Sequence, residues 1–218
     1  MIIALIGSHG TGKTTVFEKL RGELPESHFF TEQVRHQMPK FGYKNPYQFI
    51  DQYGIAAFEL MNMNNWNVID PTVNTALTGA RLITERSAID NYAYYLALRS
   101  SEFDYKAEAV LKNMAQYYAS LVDLFIYFPV GVIPLKADAM RKKDKTYQLE
   151  VDRHIRETLD RFGIGGNKIY QVHTTSVADR TKEILNLLES YGYIPEASVH
   201  GARGTLWGVE LPALVPST

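Results

Sequence analysis

The chain has 218 residues, 45% of them hydrophobic and 22% charged, with 15 Gly, 9 Pro and no Cys. That length suits one domain with a full core and would leave two complete domains each small. The missing cysteines exclude a disulfide framework, thiolate metal sites and a cysteine nucleophile. Lys plus Arg number 23 against 24 Asp plus Glu, a formal net charge of -1, so only a local patch, not a global field, can gather nucleic acid or anionic lipid.

The first element is the unbroken apolar run Met1-Ile2-Ile3-Ala4-Leu5-Ile6, closed by Gly7, which predicts a strand buried on both faces. It is far short of the roughly 20 residues that span a membrane and has no basic leader, so a cytoplasmic chain without a leader is expected. From Lys13 the spacing turns helical, with Val16 or Phe17, Leu20 and Leu24 on one face and Pro25 as the stop. A short strand at His28–Thr31 follows, then Asn45-Pro46 as N-cap and first helical residue of a long helix through Phe49, Ile50, Ala57, Phe58 and Met61. Arg81–Glu85 predicts a third strand, 88–99 and 104–121 predict helices, and Leu124–Phe128 predicts a fourth strand. The stripe Val151, Ile155, Leu159 and Phe162 marks a helix over about 147–162, Lys168–Val172 a fifth strand, and Ser176 with Asp179 the cap of a last helix stopping at Gly192. Strands alternating with helices imply an α/β fold, a parallel five-stranded sheet with helices on both faces. The expected domain is residues 1–192; from 193 the composition shifts to Gly, Pro and small residues, a tail or docking segment over 193–218 that is compatible with a homodimer.

Directly after the first strand stands Gly7-Ser8-His9-Gly10-Thr11-Gly12-Lys13-Thr14, the pattern G-x-x-x-x-G-K-[ST] in its required strand–loop–helix setting. Glycines let backbone N–H groups approach phosphate oxygens closely, and the helix beginning at Lys13 aims its positive end at the same anion. Lys13 is expected to reach the β- and γ-phosphates of ATP and the Thr14 hydroxyl to join a Mg²⁺ shell. The nucleotide-binding set is thus Gly7, Gly10, Thr11, Gly12, Lys13, Thr14 and Thr15, with Ser8 and His9 as variable loop positions.

Three further groups of polar residues stand out beyond the loop. Thr31-Glu32-Gln33-Val34-Arg35 follows the second strand, and Glu85-Arg86-Ser87 with Asp90 follows the third. The basic run Arg141-Lys142-Lys143-Asp144-Lys145 precedes a helix bearing Arg153 and Arg156. With the phosphate loop, these resemble the P-loop small-molecule kinases over about residues 1–190, in particular the deoxyribonucleoside and nucleotide kinases and the nicotinamide riboside kinase-like branch. The resemblance implies a three-layer P-loop kinase fold with a lid over about 136–156, Glu32 as base toward an acceptor hydroxyl, and Arg141 and Arg153 as lid catalysts.

The chemistry of the residues points the same way. A hydroxyl is a weak nucleophile near neutral pH, and a carboxylate such as Glu32 that orients it and accepts its proton helps; the alternative is a surface Glu opening a helix. Glu85 is the candidate to hold Mg²⁺, with Asp90 as the other choice; a Glu where Asp is usual leaves contact through water open. Arg86 would neutralise charge between acceptor and γ-phosphate, or pair with Glu85 or Asp90. Arg156 is also spaced to pair with Asp152. The 12% aromatic content gathers at Tyr43, Tyr47, Phe49, Tyr53, Phe58 and Trp66 and at Tyr92, Tyr94 and Tyr95. Arg35, Tyr43, Tyr47 and Asp90 are the candidates to meet a nucleoside- or nucleotide-like acceptor, while helical spacing assigns Phe49, Phe58 and Met61 to the core. A hydroxymethylated base in DNA is the alternative acceptor, suggested by Lys136, Arg141, Lys142, Lys143 and Lys145; a nucleotide-hydrolysing regulatory module is the alternative of another class.

Overall fold

The computed structural model describes residues 1–31, 34–70, 74, 79–99, 105–135 and 144–194, with residues 35 and 36 as helix backbone. Glu32, Lys136, Arg141, Lys142, Lys143 and the chain beyond 194 lie outside the described residues, as does the side chain of Arg35. Five strands form one parallel sheet: β1 (Ile2–Ile6), β2 (His28–Phe30), β3 (Leu82–Glu85), β4 (Leu124–Tyr127) and β5 (Ile169–Gln171), in the order β2-β3-β1-β4-β5. The helices are α1 (Lys13–Glu23), α2 (Val34–Lys40), α3 (Pro46–Asn64), α4 (Ala88–Leu98), α5 (Tyr105–Ser120), α6 (Lys145–Arg161) and α7 (Val177–Ser190). No described helix is long and apolar enough to cross a membrane.

The period of two along β1 explains why its apolar run has no polar face. Ile3 and Leu5 pack with Val16, Phe17 and Leu20 of α1 and Ile184 and Leu188 of α7, while Ala4 and Ile6 pack with Ile89 and Ala93 of α4 and Val151 and Ile155 of α6. Each such fully buried Leu, Ile or Phe contributes about 1.5–3 kcal/mol relative to exposure. The expected tail begins inside this core. Tyr193 and Ile194 join the α1/α7 cluster, and Gly192, at φ 67°, turns the chain so that Tyr193 N–H reaches Leu188 O at 2.8 Å.

The helix caps follow the sequence. Asn45 accepts from Gln48 N–H, and Ser176 accepts from Asp179 N–H. Two features depart from periodicity: α2 forms with Pro39 in its final turn, and α3 is broken at Gly54, whose φ of 82° gives it a kink. After the kink α3 runs into a 3-10 segment, Asn65–Ile69, that carries Trp66 beneath β3 and α4.

Candidate active site

β1, β3 and the start of α1 converge on Gly7–Thr14. Gly7 has φ 138°, and a Cβ there would lie 2.5 Å from the carbonyl oxygen of Phe128, which the sheet fixes through Phe128 N–H on Ile6 O at 2.9 Å. Gly12, at φ 86°, is the N-cap of α1 and brings no capping side chain to the first-turn N–H groups. The Lys13 ammonium lies inside the loop, donating to Gly7 O at 2.5 Å, Ser8 O at 2.7 Å and Thr11 Oγ1 at 3.2 Å. From outside, Gln148 of α6 donates to His9 O at 2.6 Å and Arg180 of α7 to Thr11 O at 2.7 Å. Neither anchor was legible in the sequence, because nothing local pairs 148 or 180 with the loop.

At the end of β3 the Thr14 hydroxyl donates to Glu85 Oε1. That pair of oxygens fits Mg²⁺, which binds proteins through one or two such ligands and leaves the rest to phosphates and water. Among the described residues there is no group of three His, Asp or Glu that would make a protein cage instead. Arg86 has φ 78°, the only positive φ on a non-glycine among the described residues, and is held there by its N–H on Leu5 O at 2.9 Å and the Thr84 hydroxyl on its own carbonyl at 2.7 Å. Its guanidinium lies 4.7 Å from the Tyr94 ring centroid.

Asp90 corrects an expectation. It is fully buried, accepting Gly7 N–H at 3.0 Å, Ser87 N–H at 2.8 Å and the Ser87 hydroxyl at 3.1 Å, which closes the capping box of α4. Burial pushes its carboxyl above the ordinary range against the pull of Arg86 and Lys13. With both carboxylate oxygens engaged by the Gly7 and Ser87 N–H groups and the Ser87 hydroxyl, Asp90 ties the phosphate loop to the start of α4.

His9, read as a loop filler, is nearly inaccessible, with its ring 5.3 Å from that of Tyr147 and its Nδ1 3.2 Å from the Tyr94 hydroxyl. Burial pushes the Tyr147 hydroxyl up, with Tyr94, Glu59 and Tyr47 adding to the rise and Arg86 opposing it. His9, Tyr94, Tyr147 and Arg86 therefore gather around one region beside the loop. The other expected aromatics divide: Tyr92 and Tyr95 are core residues, and Tyr43 lies outward, donating to Gln52 Oε1 at 2.9 Å and packing edge-on against Phe49. Nearby, a void of about 20 Å³, room for about one water, is lined by Phe30, Asn62, Trp66, Glu85, Arg86 and Asn91. Glu59, Asn62 and Asn91 went unread in the sequence because buried polar residues carry no periodic signature.

On the other flank the chain after β4 lies against the loop, with Leu135 over Gly10 and Ile133 over Gly12, in an open groove shared with Lys145, Gln148 and Leu149. Arg153, expected as a lid catalyst, is an exposed residue of α6 tied to Glu150 at 2.5 Å and Glu157 at 2.6 Å. Gln148 faces His9, and Arg153, five residues on at about 100° each, projects away from the loop. Arg156 makes the pair its spacing suggested, with Asp152 at 3.2 Å.

Residues 2–180 match a family model described as an AAA domain. The chain belongs to that family. The AAA domain match runs from β1 to Arg180, so it contains every contact to the phosphate loop described above. No curated protein matches the chain. Among solved structures, deoxyadenosine kinase from M. mycoides, bound to dCMP and a flexible dCDP, superposes with a TM-score of 0.63 at 16% identity, over 87% of this chain and 100% of its own. Thymidylate kinase from Candida albicans gives 0.56 at 17% identity, over 88% and 92%. NadR, bound to NAD and AMP-PNP, gives 0.61 at 16% identity over 88% of this chain and 49% of its own, so this AAA domain chain spans about half the length of NadR. The fold is that of the P-loop kinases, resembling nucleoside and nucleotide kinases.

Proposed function

We propose that this chain transfers the γ-phosphoryl group of ATP to a hydroxyl of a nucleoside- or nucleotide-like acceptor in the cytoplasm. The observation that supports this best is the junction at the end of β3. There the Thr14 hydroxyl meets Glu85, and Arg86 follows it at the end of the strand that pairs with β1. A phosphate loop with an acid and an arginine at the adjoining strand end, where open α/β sheets bind their ligands, suits phosphoryl transfer.

In this reading the loop N–H groups and Lys13 hold the phosphates, and Thr14 and Glu85 hold Mg²⁺, which supplies charge neutralisation when bound. Arg86 faces the charge that develops between donor and acceptor. Glu32, two residues beyond the end of β2 in the sequence, is proposed to orient the acceptor hydroxyl and take its proton as the oxygen bonds to phosphorus and ADP leaves. Arg141 is proposed as the lid cation.

Labelled ATP offered with free nucleosides, nucleotides and duplex DNA carrying hydroxymethylpyrimidines tests the reading and names the acceptor. A labelled nucleoside phosphate or nucleotide is expected, with transfer reduced about 10²–10³-fold in Lys13→Ala. ATP turnover without any labelled acceptor overturns the proposal, and label in DNA alone moves the acceptor to a base within DNA.

A further inference from the structure

We propose that Tyr94 is a positioning residue that ties the phosphate loop to the Arg86 guanidinium, so that the aim of the arginine depends on His9 within the loop. The proposal rests on the reading of Arg86 as the group facing charge between donor and acceptor, and adds the device that aims it. Arginine has a long, rotatable side chain, and a displacement of about 1 Å at a reacting centre can cost about 100-fold in rate. A guanidinium at a strand end therefore needs support from another element. Tyr94, on α4, supports it twice. Its ring centroid lies 4.7 Å from the guanidinium carbon, and its hydroxyl accepts from Arg86 Nη2 at 3.4 Å.

The polarity of that hydrogen bond bears on the next one. Arginine only donates, so the Tyr94 oxygen accepts there and keeps its own proton to give. His9 Nδ1 stands 3.2 Å from that oxygen and takes the proton as an acceptor when His9 carries its own on Nε2. The Ser8 hydroxyl, at 3.4 Å, is the longer contact to the same nitrogen. His9 is held in turn from α6: its carbonyl accepts from Gln148 Nε2 at 2.6 Å, and its ring lies 5.3 Å from that of Tyr147. The Tyr147 ring also packs edge-on against Tyr94, with centroids 6.1 Å apart. Asp90 and Tyr94 stand one turn apart on α4 and meet the loop at Gly7 and His9. One side chain thus joins the loop, at the residue before Gly10, to the arginine that follows β3.

Transfer from labelled ATP is measured with the nucleosides, nucleotides and hydroxymethylpyrimidine duplex DNA named above, for wild type, Tyr94→Phe, Tyr94→Leu, His9→Phe and Arg86→Ala. Each Tyr94 variant is also combined with Arg86→Ala. Tyr94→Phe keeps the ring and loses the hydroxyl, so kcat is expected to fall about 10-fold while Tm and the KM for ATP stay at wild-type values. His9→Phe is expected to lower kcat by a similar factor. Tyr94→Leu removes both supports and is expected to lower kcat about 100-fold. Each double variant is expected to lie within about threefold of Arg86→Ala alone, because no guanidinium is left to aim. A merely structural tyrosine would add its own loss to that of Arg86→Ala. If Tyr94→Phe and Tyr94→Leu both keep wild-type kcat, or a double variant falls further below Arg86→Ala than that, the proposal is overturned. Wild-type kcat in His9→Phe likewise overturns the link to the loop. In all these cases the transferase reading stands. If ATP is consumed and no nucleoside, nucleotide or DNA is labelled, the transferase reading fails and takes the proposal with it.

Discussion

The flank of the phosphate loop toward β3 and the flank toward β4 and β5 hold it by different chemistry. On the β3 side the contacts are acids, an arginine and amides: Asp90 takes Gly7 N–H, Glu85 takes the Thr14 hydroxyl, and Arg86 stands beside them. On the other side Ile133 and Leu135 press on the glycines, and two donors, Gln148 and Arg180, seize the carbonyls of His9 and Thr11. A trans peptide points its C=O and the following N–H in opposite directions. Fixing those two carbonyls outward therefore turns the N–H groups of Gly10 and Gly12 to the opposite side. In the proposed function the first flank supplies the reactive groups, and the second sets the polarity of the cradle.

The sharpest way to break this comparison is at Arg86, where backbone strain and side-chain charge can be separated. A non-glycine residue at φ 78° costs on the order of 1–3 kcal/mol, which glycine avoids. Arg86→Ala and Arg86→Gly both remove the guanidinium, so each is expected to lower transfer by about 10²–10³-fold. In thermal unfolding the glycine variant should be more stable than the alanine variant by about 1 kcal/mol. Equal stabilities would mean that the strained turn is not a property of this flank.

On the opposite flank the largest single effect is expected at Arg180. Its guanidinium is almost wholly buried, joins Thr11 O to Thr174 O through bonds of 2.7 Å each, and lies over the Phe128 ring. Burial pulls its pKa below the ordinary arginine value, with Glu183 opposing. Arg180→Met keeps the packing and leaves two carbonyls without donors, and each unsatisfied group costs about 1–3 kcal/mol, offset in part by removal of a buried charge. The net expectation is a loss of about 1–3 kcal/mol with weaker ATP binding and an unchanged acceptor KM. An acceptor KM that rises as much as the ATP KM would show that the two flanks are not separable.

The two flanks also differ in how much of them the sequence exposes. The β3 flank was legible in part because its groups sit in short local motifs: Thr14 follows the loop lysine, and Glu85-Arg86-Ser87 ends a strand of recognisable pattern. Its deeper layer was not, since Glu59, Asn62 and Asn91 meet only after α3 kinks at Gly54 and delivers Trp66 beneath α4. The β4–β5 flank was invisible for a simpler reason. Gln148 and Arg180 lie 139 and 169 residues from the carbonyls they bind, and a polar residue on a helix gives no sign of what it will meet. The same limit explains Asp90 and Arg153: position along the chain put both near the reaction, but burial turned one into a cap and helix geometry turned the other outward. The fold itself followed from periodicity, because burial on both faces of β1 and β4 leaves runs that nothing else in the chain resembles.

The smallest expected effect tests whether the β5 flank is a built structure or merely a covering. Glu183 collects His173 N–H at 2.9 Å, Thr174 N–H at 3.1 Å, the Thr174 hydroxyl at 2.6 Å and the Tyr170 hydroxyl at 2.9 Å, shaping the turn whose Thr174 carbonyl Arg180 binds. Burial pushes the Glu183 carboxyl up, but these hydrogen bonds outweigh it and hold the group below the ordinary glutamate value. A carboxyl depressed in the folded state releases its proton more readily there than in the unfolded chain. Its stabilisation is therefore present in full above the unfolded value, near pH 4.3, and is lost as pH falls through the lower folded value. In urea unfolding between pH 6 and pH 3.5, Glu183→Gln should be less stable than wild type by about 0.5 kcal/mol near neutrality, the figure being modest because the site is partly open to solvent. The gap should narrow as the pH drops below about 4. A gap that stays constant with pH would assign the effect to packing alone and leave Arg180 as the main support of the turn.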